Sequence, residues 1–247
     1  MEKYVKDYNL RTYECDKNGY LRIVTLLNIL QDMADSHAAN LGLGMEFCLS
    51  NGLAWVGANY HIKISRMPKI HEDIRLVTWP SEERKLGAIR DFAVYDSNND
   101  LIICATSQWI LIDFARKRPV ALKDKLPQYK VVNEHSLVSD FEKLPEPETM
   151  DFCKTFSVRF DDIDINMHVN NALYPLWATE GLPHDFRENH LPQEIEISFK
   201  KEGHLGEDVE VVSQLSDNLS VHSIKALSDN RELSRIRIKW LKNKSAD

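Results

Sequence analysis

The sequence predicts an α+β protein of two similar domains, each an antiparallel β-sheet wrapped on one helix. Each half of the 247-residue chain has one helical pattern followed by a series of short strand patterns. Single residues also repeat in order between the halves. Arg11, Asp16 and Asn18 recur 148 positions later as Arg159, Asp164 and Asn166. Ordered repetition across helix and strands indicates an internal duplication.

The first half contains a long amphipathic helix, predicted over residues 24–41. Apolar side chains recur there at intervals of three and four, which is typical of a helix with one buried face. Strand patterns follow over residues 53–64, 72–79, 85–95 and 101–112, separated by turn signals such as Pro-Ser-Glu-Glu at 80–83. This order predicts a helix followed by an antiparallel meander.

The second half repeats the order with shorter connections. We predict a strand over residues 156–160, a helix over 170–179, and strands over 194–199, 208–214, 220–227 and 233–241. Between the halves lies a charged segment that contains several prolines and little periodicity, as inter-domain linkers do. We therefore expect domains at residues 1–125 and 151–247, joined by a linker over residues 126–150.

Charge and cysteine usage narrow the class of protein. A net charge of -7 and a pI near 5.7 argue against a nucleic-acid-binding protein, because phosphate contacts need a basic surface. The four cysteines are scattered with no CxxC pair, which is typical of reduced cysteines in the cytoplasm. The first residues have no signal or transit character, and the chain has no apolar run of the roughly 18 residues that span a membrane. We expect a cytoplasmic protein with no membrane span.

The segment at residues 160–174, FDDIDINMHVNNALY, carries the candidate site. Asp164, Asn166 and His168 stand two apart where the strand pattern gives way to the helical one. A carboxylate, an amide and an imidazole placed together are groups that acyl-transfer chemistry uses. The first half keeps the equivalent aspartate and asparagine but has Tyr20 in place of the histidine. The histidine is therefore specific to the second half.

Three other interpretations of this segment have to be compared with a catalytic one. An EF-hand calcium loop is excluded, because its required glycine falls on Met167 and its bidentate glutamate falls on Leu173. A metal-hydrolase site would use Asp162, Asp164 and His168, but the chain has no HExxH motif and no second histidine cluster, so we expect no metal and no cofactor. The same polar residues also suit a turn that caps the following helix, with the histidine merely packed.

Several sequence words resemble the acyl-acyl carrier protein thioesterases, the plant fatty-acid chain terminators and their bacterial relatives. The segment 164–171, Asp-Ile-Asn-Met-His-Val-Asn-Asn, followed by Tyr174, Trp177 and Glu180, is similar to the signature of that family. Similar words stand at 28–32 (Asn-Ile-Leu-Gln-Asp) and 105–109 (Ala-Thr-Ser-Gln-Trp). The resemblance covers nearly the whole chain and implies a tandem hot-dog fold, in which each half is a long helix wrapped by an antiparallel sheet.

The resemblance also implies an activity. Members of the family hydrolyse the thioester of fatty acyl-acyl carrier protein, which releases a free fatty acid and ends chain elongation. Their catalytic Asp, Asn and His correspond to Asp164, Asn166 and His168, and a downstream catalytic glutamate corresponds to Glu202. The cysteine that follows this glutamate in the family is Gly203 here. We therefore expect Asp164 either to attack the thioester directly or, together with Glu202, to activate water, with water activation slightly favoured. Asn166 is expected to orient the carboxylate through its amide, and His168 to move protons.

The resemblance further suggests where the substrate is held. Candidate oxyanion donors are the backbone N–H groups at the start of the second helix, at Val169, Asn170 and Asn171. An apolar acyl pocket is expected in the first half, lined by Leu27, Leu30, Met33 and Trp55. An acidic carrier protein needs a cationic docking surface, for which the candidates are Arg84, Lys85, Arg90, Arg116, Lys117, Arg118, Lys200 and Lys201.

The predictions also include a partner, an oligomeric state and several alternative functions. The expected partner is acyl carrier protein bearing a fatty acyl chain, with no nucleic acid, and the chain is expected to be a monomer or a homodimer. One alternative is an acyl-coenzyme A thioesterase of the same fold. A hot-dog dehydratase fits the Asp-x-Asn-x-His word poorly. A non-catalytic acyl-binding protein is the last alternative, and it should have a degenerate site and an attached basic DNA-binding module.

Overall fold

The computed structural model describes residues 2–126 and 129–243. These residues belong to two compact units, Met1–Phe141 and Glu142–Asp247. Each unit combines helices with one antiparallel sheet, which confirms the predicted α+β class. The boundary between the units falls inside the segment that the sequence assigns to a linker.

The first unit is built around an antiparallel sheet with the strand order β1-β3-β4-β5-β2. Its strands are β1 (Tyr4–Asn9), β2 (Leu53–Ile64), β3 (Asp73–Arg84), β4 (Gly87–Tyr95), β5 (Leu101–Asp113) and the short β6 (Arg118–Pro119), which pairs with β5. Its helices are α1 (Ile23–Asn40), α2 (Met45–Ser50) and α3 (Leu122–Lys125), and a 3-10 turn spans Thr12–Glu14.

The long helix α1 forms for the reason that the sequence suggested. Its apolar positions fall on one face, and this face packs against β3 and β1. Leu26, Leu30 and Met33 are almost fully buried there. Burial of each such side chain stabilises the fold by about 1.5–3 kcal/mol.

Strand β3 is longer than predicted. Its end was predicted at residue 79 because Pro-Ser-Glu-Glu at 80–83 is typical of a turn. The structure continues the strand to Arg84 by way of a β-bulge between Pro80 and Glu82. Ser81, the extra residue of the bulge, is fully buried.

The second unit repeats the sheet of the first, in the order β7-β9-β10-β11-β8. Its strands are β7 (Phe152–Ser157), β8 (His190–Phe199), β9 (Asp208–Ser216), β10 (Leu219–Ala226) and β11 (Glu232–Lys242). Its helices are α4 (Leu173–Glu180) and α5 (His184–Asn189), and a 3-10 turn spans Phe160–Asp162. Across the described ranges, no helix has the length and apolarity needed to cross a membrane.

The equivalent of α1 in this unit is shorter than predicted. Residues 170–172, which the sequence analysis placed in the helix, form a turn before it. The side chain of Asn170 accepts a hydrogen bond from the backbone N–H of Ala172 at 2.9 Å, and α4 then begins at Leu173. The helix packs against β9, β10 and β11.

The connecting segment is attached to the two units by many contacts. In the first unit, the backbone N–H of Val132 donates to Pro80 and that of Ser136 donates to the buried carboxylate of Asp91. In the second unit, Leu144 is buried and the backbone N–H of Glu148 donates to Gln214. Residues 129–150 therefore follow the surface of one unit and then of the other.

Candidate active site

A tight hairpin of the second unit carries three of the four predicted catalytic residues, Asp164, Asn166 and His168. Ile163 and Val169 form an isolated antiparallel bridge, and the backbone N–H of Asp164 donates to the carbonyl of His168 at 2.9 Å. Met167 closes the turn with φ at 66°, a left-handed conformation that residues other than glycine seldom adopt. We name residues 163–169 the histidine hairpin.

Two buried anchors hold the histidine hairpin in place. On one side, the carboxylate of Asp162 accepts hydrogen bonds from the backbone and the guanidinium of Arg159, and its carbonyl accepts from Asn170 at 2.9 Å. On the other side, the backbone N–H of Val169 donates to the carbonyl of Gly203 at 2.9 Å. The second anchor brings the segment after β8, which includes Glu202, next to the hairpin.

His168 and Glu202 face each other at this junction. The Nε2 atom of His168 lies 3.2 Å from Oε2 of Glu202. The side chains are 33% and 53% exposed, so the pair is open to water and to a substrate. An imidazole beside a carboxylate is suited to accept and return a proton near neutral pH.

Asp164 and Asn166 contact each other, away from that pair. Asp164 accepts hydrogen bonds from the backbone N–H of Asn166 at 2.8 Å and from its side-chain amide at 3.3 Å. Within the described residues, the Asp164 carboxylate has no hydrogen bond with His168 or Glu202. The structure therefore groups the four predicted residues into two pairs, and the two carboxylates do not form one pair.

Gly203 fits closely under the site. Its backbone N–H donates to the hydroxyl of Tyr174 at 3.2 Å, and burial raises the pKa of this tyrosine so that the hydroxyl stays neutral. A Cβ at position 203 would lie 2.9 Å from Cγ2 of Val169 and 3.1 Å from the Tyr174 hydroxyl. Packing therefore leaves no room here for the cysteine side chain that the similar family has at this position.

A short turn after Gly203 completes the site. The backbone N–H of His204 donates to Oε2 of Glu207 at 2.9 Å, and Glu207 forms an ion pair with Arg231. Burial acts to raise the pKa of Glu207, but the hydrogen bonds from Arg231 and His204 outweigh it and the pKa lies below its ordinary value. Arg231 also donates to the carbonyl of Glu202. We name residues 202–207 the glutamate turn.

The first unit contains the same two loops without the same chemistry. The backbone N–H of Asp16 donates to Tyr20 at 2.8 Å, and the backbone N–H of Leu21 donates to Pro68 at 3.0 Å. The position of Glu202 is taken by Met67, which is buried. The hairpin is thus common to both units, whereas the imidazole–carboxylate pair belongs to the second unit.

The predicted oxyanion donors need a correction. The N–H groups of Val169 and Asn170 already donate to the carbonyls of Gly203 and Asp162, so they are not available to a substrate oxygen. These hydrogen bonds hold the hairpin itself. Asn171 is the remaining member of the predicted set, and in the described part of the chain its N–H has no such bond.

The predicted acyl-pocket residues lie in two places of the first unit. Leu27, Leu30 and Met33 are on the buried face of α1. Trp55 is partly buried against a cluster that includes Leu53 and Leu111, and its ring is tilted against that of Tyr129 with centroids 6.1 Å apart. The pocket assignment stays a prediction.

Among the predicted docking residues, Arg90 is wrongly assigned. It is 7% exposed, and its guanidinium lies 3.1 Å from Nδ1 of His37 and 3.2 Å from the hydroxyl of Thr78. Burial lowers the pKa of Arg90. A buried guanidinium cannot meet an acidic protein, and its position in the core was hidden because an arginine within a strand pattern can point to either face.

The other docking candidates lie at or near the surface. Arg84 pairs with Glu82, and Lys200 pairs with Glu232. The exposed members are Lys85, Arg116, Lys117, Arg118, Lys200 and Lys201. Among residues 2–126 and 129–243, no three acidic, histidine or cysteine side chains form a cluster that could hold a metal ion.

Sequence reasoning missed the residues that support the pair. Tyr174 was noted only as part of a family word, and His204, Glu207 and Arg231 were given no role. The duplication held a signal for Glu207, because Glu72 is its equivalent and also accepts from the backbone three residues before it, at 2.9 Å. No pattern in the chain indicated His204.

The chain is similar to known proteins over nearly its whole length. Residues 1–129 match the family model of the acyl-ACP thioesterase N-terminal domain, and residues 145–242 match that of the C-terminal domain. A palmitoyl-acyl carrier protein thioesterase of Gossypium hirsutum is 24% identical over 96% of this chain. An oleoyl-acyl carrier protein thioesterase of Arabidopsis thaliana is also 24% identical, over 98% of it. The chain spans 63% and 77% of the lengths of these two relatives.

The fold has a close match among solved structures. An acyl-ACP thioesterase of Bacteroides thetaiotaomicron superposes with a TM-score of 0.88 at 21% identity, over 97% of this chain and 98% of the other. This similarity confirms the tandem hot-dog fold. Because the two domain models together match most of the residues in their expected order, the chain belongs to the acyl-ACP thioesterase family.

Proposed function

We propose that this protein hydrolyses the thioester of a fatty acyl chain on acyl carrier protein and releases the free acid. The observation that carries the proposal is the His168–Glu202 pair, 3.2 Å apart and open to solvent. The family relationship supplies the substrate class. The absence of this pair from the equivalent loops of the first unit supports a chemical rather than a structural role for it.

Thioester hydrolysis requires a base for water and a proton for the departing sulfur. Glu202 faces Nε2 of His168, so its carboxylate favours the tautomer with the proton on Nε2 and leaves Nδ1 as the accepting nitrogen. The water oxygen bonds to the carbonyl carbon while Nδ1 takes the water proton. The carbon–sulfur bond then breaks, and the imidazolium returns the proton to the thiolate.

Asp164 and Asn166 have a supporting part in this proposal. Their hydrogen bonds fix the hairpin that presents His168, and the equivalent Asp16 accepts the same kind of backbone hydrogen bond in the first unit. In this proposal His168, paired with Glu202, activates the water. The pair of carboxylates expected from the sequence does not. The backbone N–H of Asn171 is the proposed donor to the developing oxyanion.

The decisive measurement is hydrolysis of acyl chains of several lengths, each presented on carrier protein and on coenzyme A. The panel includes palmitoyl and oleoyl chains, which the names of the plant relatives carry. Preference for carrier-bound chains is expected. Preference for coenzyme A would identify the acyl-coenzyme A thioesterase instead, and no release from any donor would favour an acyl-binding protein.

Variants of the pair test the assignment of roles. Glu202→Gln and His168→Ala should each lower kcat by about 10²–10⁴-fold, the usual contribution of a positioned acid or base. Asp164→Asn has a matched control in Asp16→Asn, which changes the same turn in the first unit and should retain activity. Near-normal turnover of both Glu202→Gln and His168→Ala would refute the mechanism.

A further inference from the structure

A small cavity opens on the surface of the first unit, between α1, β1 and β3. Its volume is about 380 Å³, and the residues that line it all belong to this unit. The floor is apolar and consists of Ile29, Met33 and Leu76, which are at most 8% exposed. We name this space the α1 cavity. Its volume is within the range of protein sites that hold small organic molecules.

One wall of the α1 cavity carries a buried carboxylate. Glu14 lines the cavity and is 6% exposed. Its Oε2 atom accepts a hydrogen bond from the backbone N–H of Arg11 at 2.8 Å, and its Oε1 atom accepts one from the hydroxyl of Tyr8. Burial and this hydrogen bond raise the pKa of Tyr8 to about 12, so the hydroxyl stays protonated. A carboxylate has about four acceptor positions, and these two neutral donors fill only two of them.

The second unit neutralises the equivalent carboxylate, whereas the first unit does not. Asp162 stands 148 positions after Glu14, and the guanidinium of Arg159 lies 2.8 Å from it. The equivalent arginine of the first unit, Arg11, donates its guanidinium to the hydroxyl of Tyr13 at 2.6 Å. Among the residues that the structure describes, no cation forms an ion pair with Glu14. A buried charge without a counter-ion is unfavourable, so this carboxylate favours a cation as its neighbour.

The open space is also specific to the first unit. Phe156 and Trp177 are the equivalents of Tyr8 and Ile29, and their rings stack with centroids 6.0 Å apart. Two aromatic side chains thus pack together where the first unit has a smaller aliphatic side chain and a cavity. The duplicated scaffold does not require the cavity, and the cavity occurs in the unit whose carboxylate has no counter-ion.

The opening of the α1 cavity adds an ion pair and two aromatic rings. Lys6 and Asp32 lie there with exposed side chains, and the ammonium is 3.1 Å from the carboxylate. Because these two charges balance each other, the lining has the net negative charge of Glu14. The rings of Tyr8 and Tyr13 line the same cavity. Aromatic rings attract cations through their faces, so they favour the same sign of ligand as the carboxylate does.

We propose that the α1 cavity binds a small organic cation, a primary ammonium group on a short apolar stem. The ammonium donates charge-assisted hydrogen bonds to the open acceptor positions of Glu14. The stem packs on the apolar floor formed by Ile29, Met33 and Leu76. This binding site goes beyond the proposed hydrolysis and does not depend on it.

Two other occupants suit the cavity less well. Among the described residues that were predicted to line the acyl pocket, Met33 alone is part of this floor. An alkyl chain in the α1 cavity would cover the Glu14 carboxylate with hydrocarbon and offer it no hydrogen-bond donor, which is unfavourable. A metal ion lacks ligands, because the described part of the chain has no cluster of three acidic, histidine or cysteine side chains that could hold one.

The binding test uses three probes of similar size and different charge, namely benzylammonium, benzyl alcohol and benzoate. The methyl resonances of Ile29 and Met33 in the whole chain are followed by NMR at pH 7. Benzylammonium should shift them to saturation, and the other two probes should bind at least about tenfold more weakly, because they form no charge-assisted hydrogen bond with Glu14. Absence of a saturable shift, or binding of benzyl alcohol or benzoate as tight as that of benzylammonium, would overturn the proposal.

Three variants locate the site. Glu14→Gln keeps the shape of the side chain and removes its charge, so it should weaken benzylammonium binding by about 10- to 100-fold. Asp35→Asn is the matched control, because Asp35 is an exposed carboxylate of α1 outside the cavity lining, and it should bind the probe as the wild type does. Ile29→Trp copies the second unit and should abolish binding by filling the space.

The result is independent of catalysis. Thermal melts establish which variants are folded, and the comparison of the three probes in the wild type decides the question even where a variant does not fold. Unchanged affinity in folded Glu14→Gln protein would overturn the proposal. Absence of thioester hydrolysis in the wild type would refute the proposed function and leave this binding site unaffected.

Discussion

The fit around Gly203 makes a quantitative prediction for Gly203→Ala. The added Cβ would lie 2.9 Å from Cγ2 of Val169, 3.1 Å from the Tyr174 hydroxyl and 3.4 Å from Cδ1 of Leu233. All three neighbours are at most 3% exposed, so none can swing into solvent. Gly203 does not have a positive φ, so the effect comes from packing and not from the backbone.

The size of the effect follows from these contacts. Overpacking of one methyl in a closed core lowers the free energy of unfolding by about 1–3 kcal/mol. Gly203 also accepts the hydrogen bond from Val169 and adjoins Glu202, so a shift of its backbone moves both members of the catalytic pair. Displacement of the pair by a fraction of an ångström to 1 Å should lower kcat by roughly tenfold to a hundredfold.

Urea denaturation and steady-state kinetics measure the two effects, and Tyr174→Phe provides the internal control. Tyr174→Phe alone removes the acceptor of a buried N–H and should cost about 1–3 kcal/mol. The double variant should be more stable than the sum of the single changes predicts, by about 1 kcal/mol, because the hydroxyl that the new methyl meets is gone. A Gly203→Ala protein whose free energy of unfolding lies within about 0.5 kcal/mol of the wild-type value would refute this account of the packing. Strictly additive effects of the two substitutions in the double variant would refute it as well.

Two further predictions concern stability. Burial lowers the pKa of His222, which lies between the hydroxyls of Ser213 and Ser220, to about 3. In the unfolded chain this histidine takes up a proton near pH 6.5. The contribution of the neutral, buried His222 to stability is therefore complete above pH 6.5. It is lost as pH falls toward 3, with a slope of about 1.4 kcal/mol per pH unit. Urea midpoints at pH 7 and pH 5 should show this loss, and a midpoint independent of pH would contradict it. Met167→Gly should raise the free energy of unfolding by up to about 1 kcal/mol, because the residue has a positive φ, and Gly19→Ala at the equivalent turn should lower it by a similar amount. If both substitutions changed the free energy of unfolding in the same direction, backbone conformation would not control this turn.

The duplication was predictable in detail because it rests on local chemistry. Arg11 and Arg159 each donate a backbone hydrogen bond to an acidic side chain three residues later, at 2.8 Å in both units. Asp16 and Asp164 each accept from the backbone two residues on. Such interactions lie within a few residues, so the pattern of side chains is enough to indicate them.

Two assignments that depended on distant residues were wrong. Arg90 was taken for a docking residue because its burial is decided by the strands and helix around it. Val169 and Asn170 were taken for free donors because their acceptors, Gly203 and Asp162, are set by the way the hairpin folds back. The helix over residues 170–179 was placed too early for a local reason, because Asn170 accepts a hydrogen bond from Ala172 in a turn that precedes α4.

The sequence by itself determined the α+β class, the two-fold repetition and the turn built on Asp164 and Asn166, because each depends on periodicity or on contacts within one turn. Only the tertiary structure decided which groups meet at the site. Glu202 lies far along the chain from His168, and the hydrogen bond between Val169 and Gly203 brings them to 3.2 Å. Spacing along a sequence does not encode such proximity, because it arises when two separate loops of one sheet are closed against each other.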